Sequence, residues 1–224
     1  MPIRVPTDRP TVDISDTATP GGRCPACGQP LFPWIEGPDA SPGSRSDHVV
    51  DRCENCHLGL EREDAGEALA DLIEGIAEEV RDVGRATLHV ANGASLQAGI
   101  GVENWSALHL PAEPYVLTPK ALELLLEHED LEIARRSYPL RPATAAMMQT
   151  LLNLITFNRN FASEALHGTL RPAQARPGRS GFFLDTAITA LAAVPVAIIS
   201  VVLEGGASLA RRGGVLRATV GRRG

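Results

Sequence analysis

Four cysteines carry the clearest chemistry in the chain. Cys24 and Cys27 stand in CPACG, and Cys53 and Cys56 in CENCHLG. Each is a Cys-x-x-Cys pair, and 25 residues separate Cys27 from Cys53. Thiolates are good Zn²⁺ ligands, and four of them close a tetrahedral shell with no position left for water. The two-residue spacer lets both sulfurs of a pair reach one ion. Gly28, directly after Cys27, suits the tight turn because glycine tolerates positive φ. Gly59, three residues after Cys56, is read as serving the second turn. His57 is a substitute donor that four thiols make redundant. The intervening residues have strand-like ends, LFPWI and HVVD, around a Pro/Gly/Ser turn. The spacing predicts a zinc ribbon whose metal is structural, replacing a core that about 35 residues cannot build.

The elements that must hold this clip are set by the rest of the composition. The chain has 224 residues, enough for one domain with a small appended module. Four cysteines at this length are not a disulfide framework, and the expected compartment is a reducing cytoplasm. The first 22 residues contain no apolar signal-like segment and read as a disordered tail rich in Pro, Thr and Asp. Aromatic residues make up 4%, which leaves few platforms for stacking bases. Between residues 24 and 60 the only arginines are Arg45 and Arg52, and there is no lysine. Nucleic acid is therefore not an expected partner.

The net charge of −6 conceals an asymmetry. Residues 1–134 hold 9 basic and 24 acidic side chains, whereas residues 135–224 hold 12 arginines, no lysine and three acids, Glu164, Asp185 and Glu204. The basic part faces an anionic lipid surface, an acidic partner or, within the molecule, the acidic helix of residues 61–80. In residues 61–83, Leu69, Leu72, Ile73, Ile76, Val80 and Val83 fall on one helical face. Glu and Asp on the other face read as a solvated surface rather than acid/base pairs. ATLHVAN (86–92) reads as a strand leading into the loop NGASLQAGIG. The glycines Gly93, Gly99 and Gly101 match neither a dinucleotide fingerprint nor a phosphate loop. Thr118 and Pro119 start a helix as N-cap and first residue, and LEIARRSY reads as a strand. His89, His109 and His128 lie on different elements without ligand spacing.

In this order (ribbon, acidic helix, strand, ANGASLQ, Trp105, LPxxPYxLTPxxLxxLLE, strand) the chain resembles the C-terminal half of zinc-ribbon-bearing class I S-adenosylmethionine-dependent methyltransferases. Asn92, Ser95, Gln97, Trp105, Pro111, Tyr115, Thr118 and Pro119 fit that family's pattern. The resemblance implies an α/β fold with a partial Rossmann-like half. It also marks departures. The family's first strand and cofactor loop should lie between ribbon and helix, where only Leu60 to Ala65 stand. Its polar loop of His, Asp, Arg, His and His falls on Ala107, His109, Ala112, Glu113 and Val116. The cofactor-binding half is missing, so no catalytic or cofactor-binding residues are assigned and S-adenosylmethionine is not an expected ligand.

Thr186 to Leu203 (TAITALAAVPVAIISVVL) is a run of 18 residues without charge, bounded by Asp185 and Glu204. As a helix it would reach about 27 Å, just short of a hydrocarbon core of about 30 Å. Pro195 near its middle breaks or kinks such a helix. A buried core helix, a hairpin dipping into one leaflet and a transmembrane pass all fit; the resemblance implies that GGVLRATVGRRG is the sheet's final strand, which a hairpin returns to the cytoplasmic side better than a single span. Arg176, Arg179, Arg211 and Arg212 would suit anionic headgroups. PATAAMMQTLLNLITF (142–157) is a second apolar helix, and 159–181 reads as a Pro/Gly/Arg linker.

The expected organisation is a tail (1–22), a zinc ribbon (23–60), a partial methyltransferase-like α/β region (61–140), a helix and linker (141–181), and an apolar helical hairpin with a final strand (182–224). The functional expectation is a zinc-binding, methyltransferase-like, non-catalytic protein at the inner face of the cell membrane, partnering a complete enzyme. The alternatives are an active methyltransferase with a divergent or partner-completed site, and a membrane-anchored zinc-ribbon interaction module.

Overall fold

The computed structural model describes residues 22–38, 47–62, 65–108, 113–169 and 178–224. The expected tail up to residue 21, the ribbon turn at 39–46, His109, Pro111, Ala112 and the linker stretch 170–177 lie outside the described residues.

Among the described residues the chain forms two antiparallel sheets and six α-helices. The first sheet has the order β1 (Leu31–Pro38), β2 (Asp47–Cys53), β3 (Gly59–Glu61) and β5 (Tyr115–Val116). The second runs β4 (Ala86–Ala91), β7 (Val215–Arg222), β6 (Leu131–Ser137). β7 is antiparallel to both neighbours, so β4 and β6 run parallel to each other with the C-terminal strand reversed between them.

Helix α1 (Ala65–Val83) buries Ala65, Leu69, Ile73, Ile76 and Val80, a three-and-four spacing that puts one apolar stripe inward. The expected stripe is right except at Val83, which is 66% exposed at the helix end. Helix α3 (Pro119–Glu127) buries Ala121, Leu122, Leu125 and Leu126. Both pack with Leu216, Ala218 and Val220 of β7 in one core, and that core also contains Cys24, Cys53, Cys56, Leu58 and Leu60. The ribbon and the α/β region thus share their apolar interior. Full burial of each leucine there is worth about 1.5–3 kcal/mol.

Two segments differ from expectation. The loop after β4 contains a short helix, α2 (Leu96–Gly101), because Ser95 accepts from the Ala98 N–H and caps it. The 159–181 linker contains α5 (Phe161–His167), flanked by Asn160 and Gly168 in left-handed conformation.

The largest correction concerns the C-terminal hairpin. Residues 182–204 do not fold back on themselves; Arg179–Leu209 is one continuous helix, α6, of 31 residues and about 46 Å. Pro195 lies inside it. Proline removes a single backbone bond, and both flanks are held by side-chain anchors. Those anchors are Asp185 and Glu204, each fully buried. The helical hairpin exists one step earlier in the chain, where α4 (Leu140–Asn153) and α6 pack together. Asp185 accepts from Phe157 N (2.8 Å) and Asn158 N (3.0 Å), just after α4. Gln97 Nε2 donates both to Ala143 O at the start of α4 (2.6 Å) and to Glu204 (2.7 Å). The start of each helix therefore lies beside the end of the other, which makes the pair antiparallel.

Candidate metal centre

The hairpin of β1 and β2 carries one cysteine pair before its first strand and the other at the end of its second. Leu31 pairs with Cys53 across it. In the first turn Gly28 N donates to Cys24 O (2.7 Å) and Cys24 N to Gln29 O (2.8 Å). The second turn repeats the pattern 29 residues later: His57 N donates to Cys53 O and Cys53 N to Leu58 O, both at 2.9 Å. Arg23 bridges Pro30 as Arg52 pairs with Gly59. The two turns are local copies that face each other.

Each turn needs a left-handed residue after its second cysteine. Gly28 takes φ +70°, as expected. In the second turn the position belongs to His57, at φ +60°, not to Gly59. Gly59 instead lets neighbouring strands approach, since a Cβ there would lie 3.1 Å from Val116 Cβ and 3.2 Å from Val50 Cγ1. His57 is exposed and is not one of the four converging donors.

The four Sγ atoms lie within 4.8 Å of one another. Cys24–Cys56 and Cys27–Cys53 are 3.4 Å apart, and Cys27–Cys56 3.8 Å. A tetrahedral ion with metal–sulfur bonds of about 2.3 Å spaces its sulfurs by about 3.8 Å, so the set fits one such ion. None of the cysteines is in a disulfide. Cys24, Cys53 and Cys56 are buried and Cys27 half-buried. The hydrogen bond from Cys24, assisted by the Leu58 backbone and opposed by burial, pulls the Cys56 thiol down to about 5. That same bond, then burial, pushes Cys24 up. Burial is the chief cause raising Cys53. A buried cluster of this kind favours a thiolate where a cation can offset it.

The second turn is buttressed by α3. Thr118 Oγ1 donates to Cys56 O (2.6 Å) while accepting from Ala121 N (3.1 Å). Lys120 Nζ donates to Asn55 O at 2.8 Å. The N-terminus of α3 is thereby held against the backbone of the second cysteine turn.

The other residues of the family-like pattern are absorbed into the fold. Asn92 Nδ2 donates to Gly213 O (2.8 Å), and Asn92 N donates to Gly214 O (2.9 Å). Gln97 is fully buried on α4 and Glu204. Trp105 is buried with Leu108, Ile35 and Val50. Tyr115 and Val116 form the edge strand of the first sheet. At Gly93 the protein packs against the position a Cβ would take, which would meet Val116 Cγ1 at 2.5 Å and Leu117 O at 3.2 Å. Of the polar-loop positions, Ala107 is half-buried, Glu113 exposed and Val116 buried. His89 and His128 are exposed, and the carboxylates of α1 face outward apart from any cluster.

Sequence reasoning missed the buried carboxylates. Asp185 also accepts from Asn158 Nδ2 (2.7 Å), and Glu204 accepts from Gly214 N (2.7 Å). A charge bounding an apolar run was their only visible signal.

No protein-family model, curated protein or solved structure matches the chain.

By length and composition α6 is the one helix, among the described residues, able to cross a membrane. Its most apolar window has a mean hydropathy of 2.4 and is 6% buried.

Proposed function

We propose that this chain is a zinc-stapled, methyltransferase-like protein that does not itself transfer methyl groups and serves at a membrane as an accessory of a complete enzyme. Four thiolates are the donor set that suits Zn²⁺ best among abundant divalent ions, and closing all four positions makes the metal structural. The methyltransferase-like part of the reading is supported by the parallel relation of β4 and β6 and by the return of β7 into their sheet.

One observation carries the non-catalytic part. β3 ends at Glu61 and α1 begins at Ala65, so three residues stand where a cofactor-binding strand and loop would be needed. In the loop after β4, a Cβ at Gly93 would meet Val116 and one at Gly101 would meet Thr150, so these two glycines serve packing within the protein. Calorimetry with S-adenosylmethionine tests the reading. The expected result is no heat of binding at micromolar concentration, and saturable binding by the isolated chain would overturn it.

A second reading has its own support. Among the described residues β4 pairs only with β7, which leaves the outer edge of β4 open to a strand from another chain. A cofactor site completed by a partner would use that edge. Its signature is cofactor binding by the mixture and by neither chain alone.

A further inference from the structure

From the way α6 is tied to the folded body, we infer that this helix lies in the plane of an anionic membrane surface, immersed along its exposed side, rather than crossing the bilayer. The inference rests on the membrane association proposed above.

Leu184, Leu191, Val194, Ile198, Val202 and Leu209 recur at helical spacing and are 48–90% exposed. They form one apolar stripe along almost the whole helix. The opposite side holds Asp185, Ser200, Glu204 and Ala207, all buried. A helix apolar on its outer side and anchored on its inner side suits immersion to the depth of one side chain.

Both ends are fixed to the same body. The Glu204 end is bound to Gln97 and Gly214. The Asp185 end is bound to the backbone of Phe157 and Asn158. That segment is itself tied inward: Asn153 Nδ2 donates to Asn104 O (2.9 Å), and Arg159 donates to the carbonyls of Trp105 and Leu108. Trp105 and Leu108 pack against Ile35 and Val50 of the ribbon. A perpendicular crossing would drag the Asp185 clamp and the ribbon-facing core through the hydrocarbon. Pro195 points the same way. It lies on the exposed side and leaves the Leu191 carbonyl without its helical donor, a group that interfacial water can satisfy and hydrocarbon cannot.

Charge selects the lipid. Residues 135–224 contain 12 arginines and three acids, and two of those acids, Asp185 and Glu204, are fully buried. The exposed charges at the two ends of α6 are therefore cationic, Arg179 at one end and Arg211 and Arg212 at the other.

The test uses the full zinc-loaded chain and sealed vesicles of phosphatidylcholine with or without phosphatidylglycerol. Binding is expected only with the anionic lipid. It should weaken on the order of tenfold on raising salt or in the double variant Arg211→Gln/Arg212→Gln. Leu191→Glu/Val202→Glu, at positions 83% and 69% exposed, should keep its metal content and lose binding. Cysteines placed at Arg179→Cys and Ala210→Cys should react equally with an impermeant thiol reagent added outside. Protection of either cysteine means a span and overturns the in-plane geometry while leaving membrane association standing. Absence of vesicle binding removes both. Equal binding to neutral vesicles overturns the charge selection. A dimer that Leu191→Glu/Val202→Glu converts to monomer makes a second copy the occupant, which also overturns the inference.

Discussion

Thr118 Oγ1 donates to the backbone carbonyl of Cys56 at 2.6 Å and accepts from Ala121 N at 3.1 Å. One buried hydroxyl therefore closes the second cysteine turn and caps helix α3. Replacing Thr118 by valine removes the cap and strands a buried carbonyl, for an expected loss of about 2–3 kcal/mol. Thr118→Ser keeps both bonds and should recover most of that loss. Denaturant unfolding of the two variants checks this; a valine variant as stable as the parent beside a destabilised serine variant would show that the methyl packing, not the hydroxyl, matters.

His57 carries a backbone cost that Gly28 does not. Its φ of +60° is a conformation that side chains with a Cβ disfavour by about 1–2 kcal/mol. His57→Gly is expected to raise stability by up to about 1 kcal/mol and to leave metal affinity unchanged. A fall in affinity would make His57 a ligand and contradict the four-thiol assignment.

Glu204 joins three elements through one carboxylate. Gly214 N and Gln97 Nε2 donate to its two oxygens, each at 2.7 Å, and Gln97 holds α4 through Ala143. Glu204→Ala leaves the Gly214 N–H and one of the two Gln97 Nε2 hydrogens buried without a partner, and a loss of about 3–5 kcal/mol is expected. Thermal unfolding together with hydrogen exchange in β7 would register it. A change below about 1 kcal/mol, typical of a surface substitution, would contradict the anchor.

Gly93 separates a packing role from a binding role. Its missing Cβ leaves room for Val116 Cγ1 at 2.5 Å. Gly93→Ala should cost about 1–3 kcal/mol through displaced packing. The unfolding midpoint is the readout, and a variant as stable as the parent would contradict the packing role.

Much of this was legible where partners are close in the sequence. The cysteine spacing defines each turn within four residues, so the clip could be read directly, as could Gly28. The apolar stripe of α1 and the cap at Thr118 are equally local. His57 was not legible, because a histidine directly after Cys56 does not signal positive φ as Gly28 does after Cys27. Nor was the continuity of α6: Pro195 reads as a break, and the clamps that hold both sides come from residues 27–28 positions before Asp185 and 107 before Glu204. Asp185 and Glu204 look like the ends of a span until their donors are known. The other hairpin arm, α4, was visible as an apolar helix, but its link to α6 through Gln97 joins residues 46 and 107 positions apart, which no local pattern signals. Helix α5 stayed hidden because its seven residues begin after a left-handed asparagine, a start that propensity does not signal.

The cysteine clip lies in the same core as α1, α3 and β7, so its metal should hold the whole described fold together. Elemental analysis of the purified chain, followed by circular dichroism during chelation, measures this directly. One zinc per chain is expected, with loss of the near-ultraviolet signal of buried Trp105 as the metal leaves. Zinc well below one per chain, or a spectrum unchanged after complete removal, would contradict a metal-stapled fold.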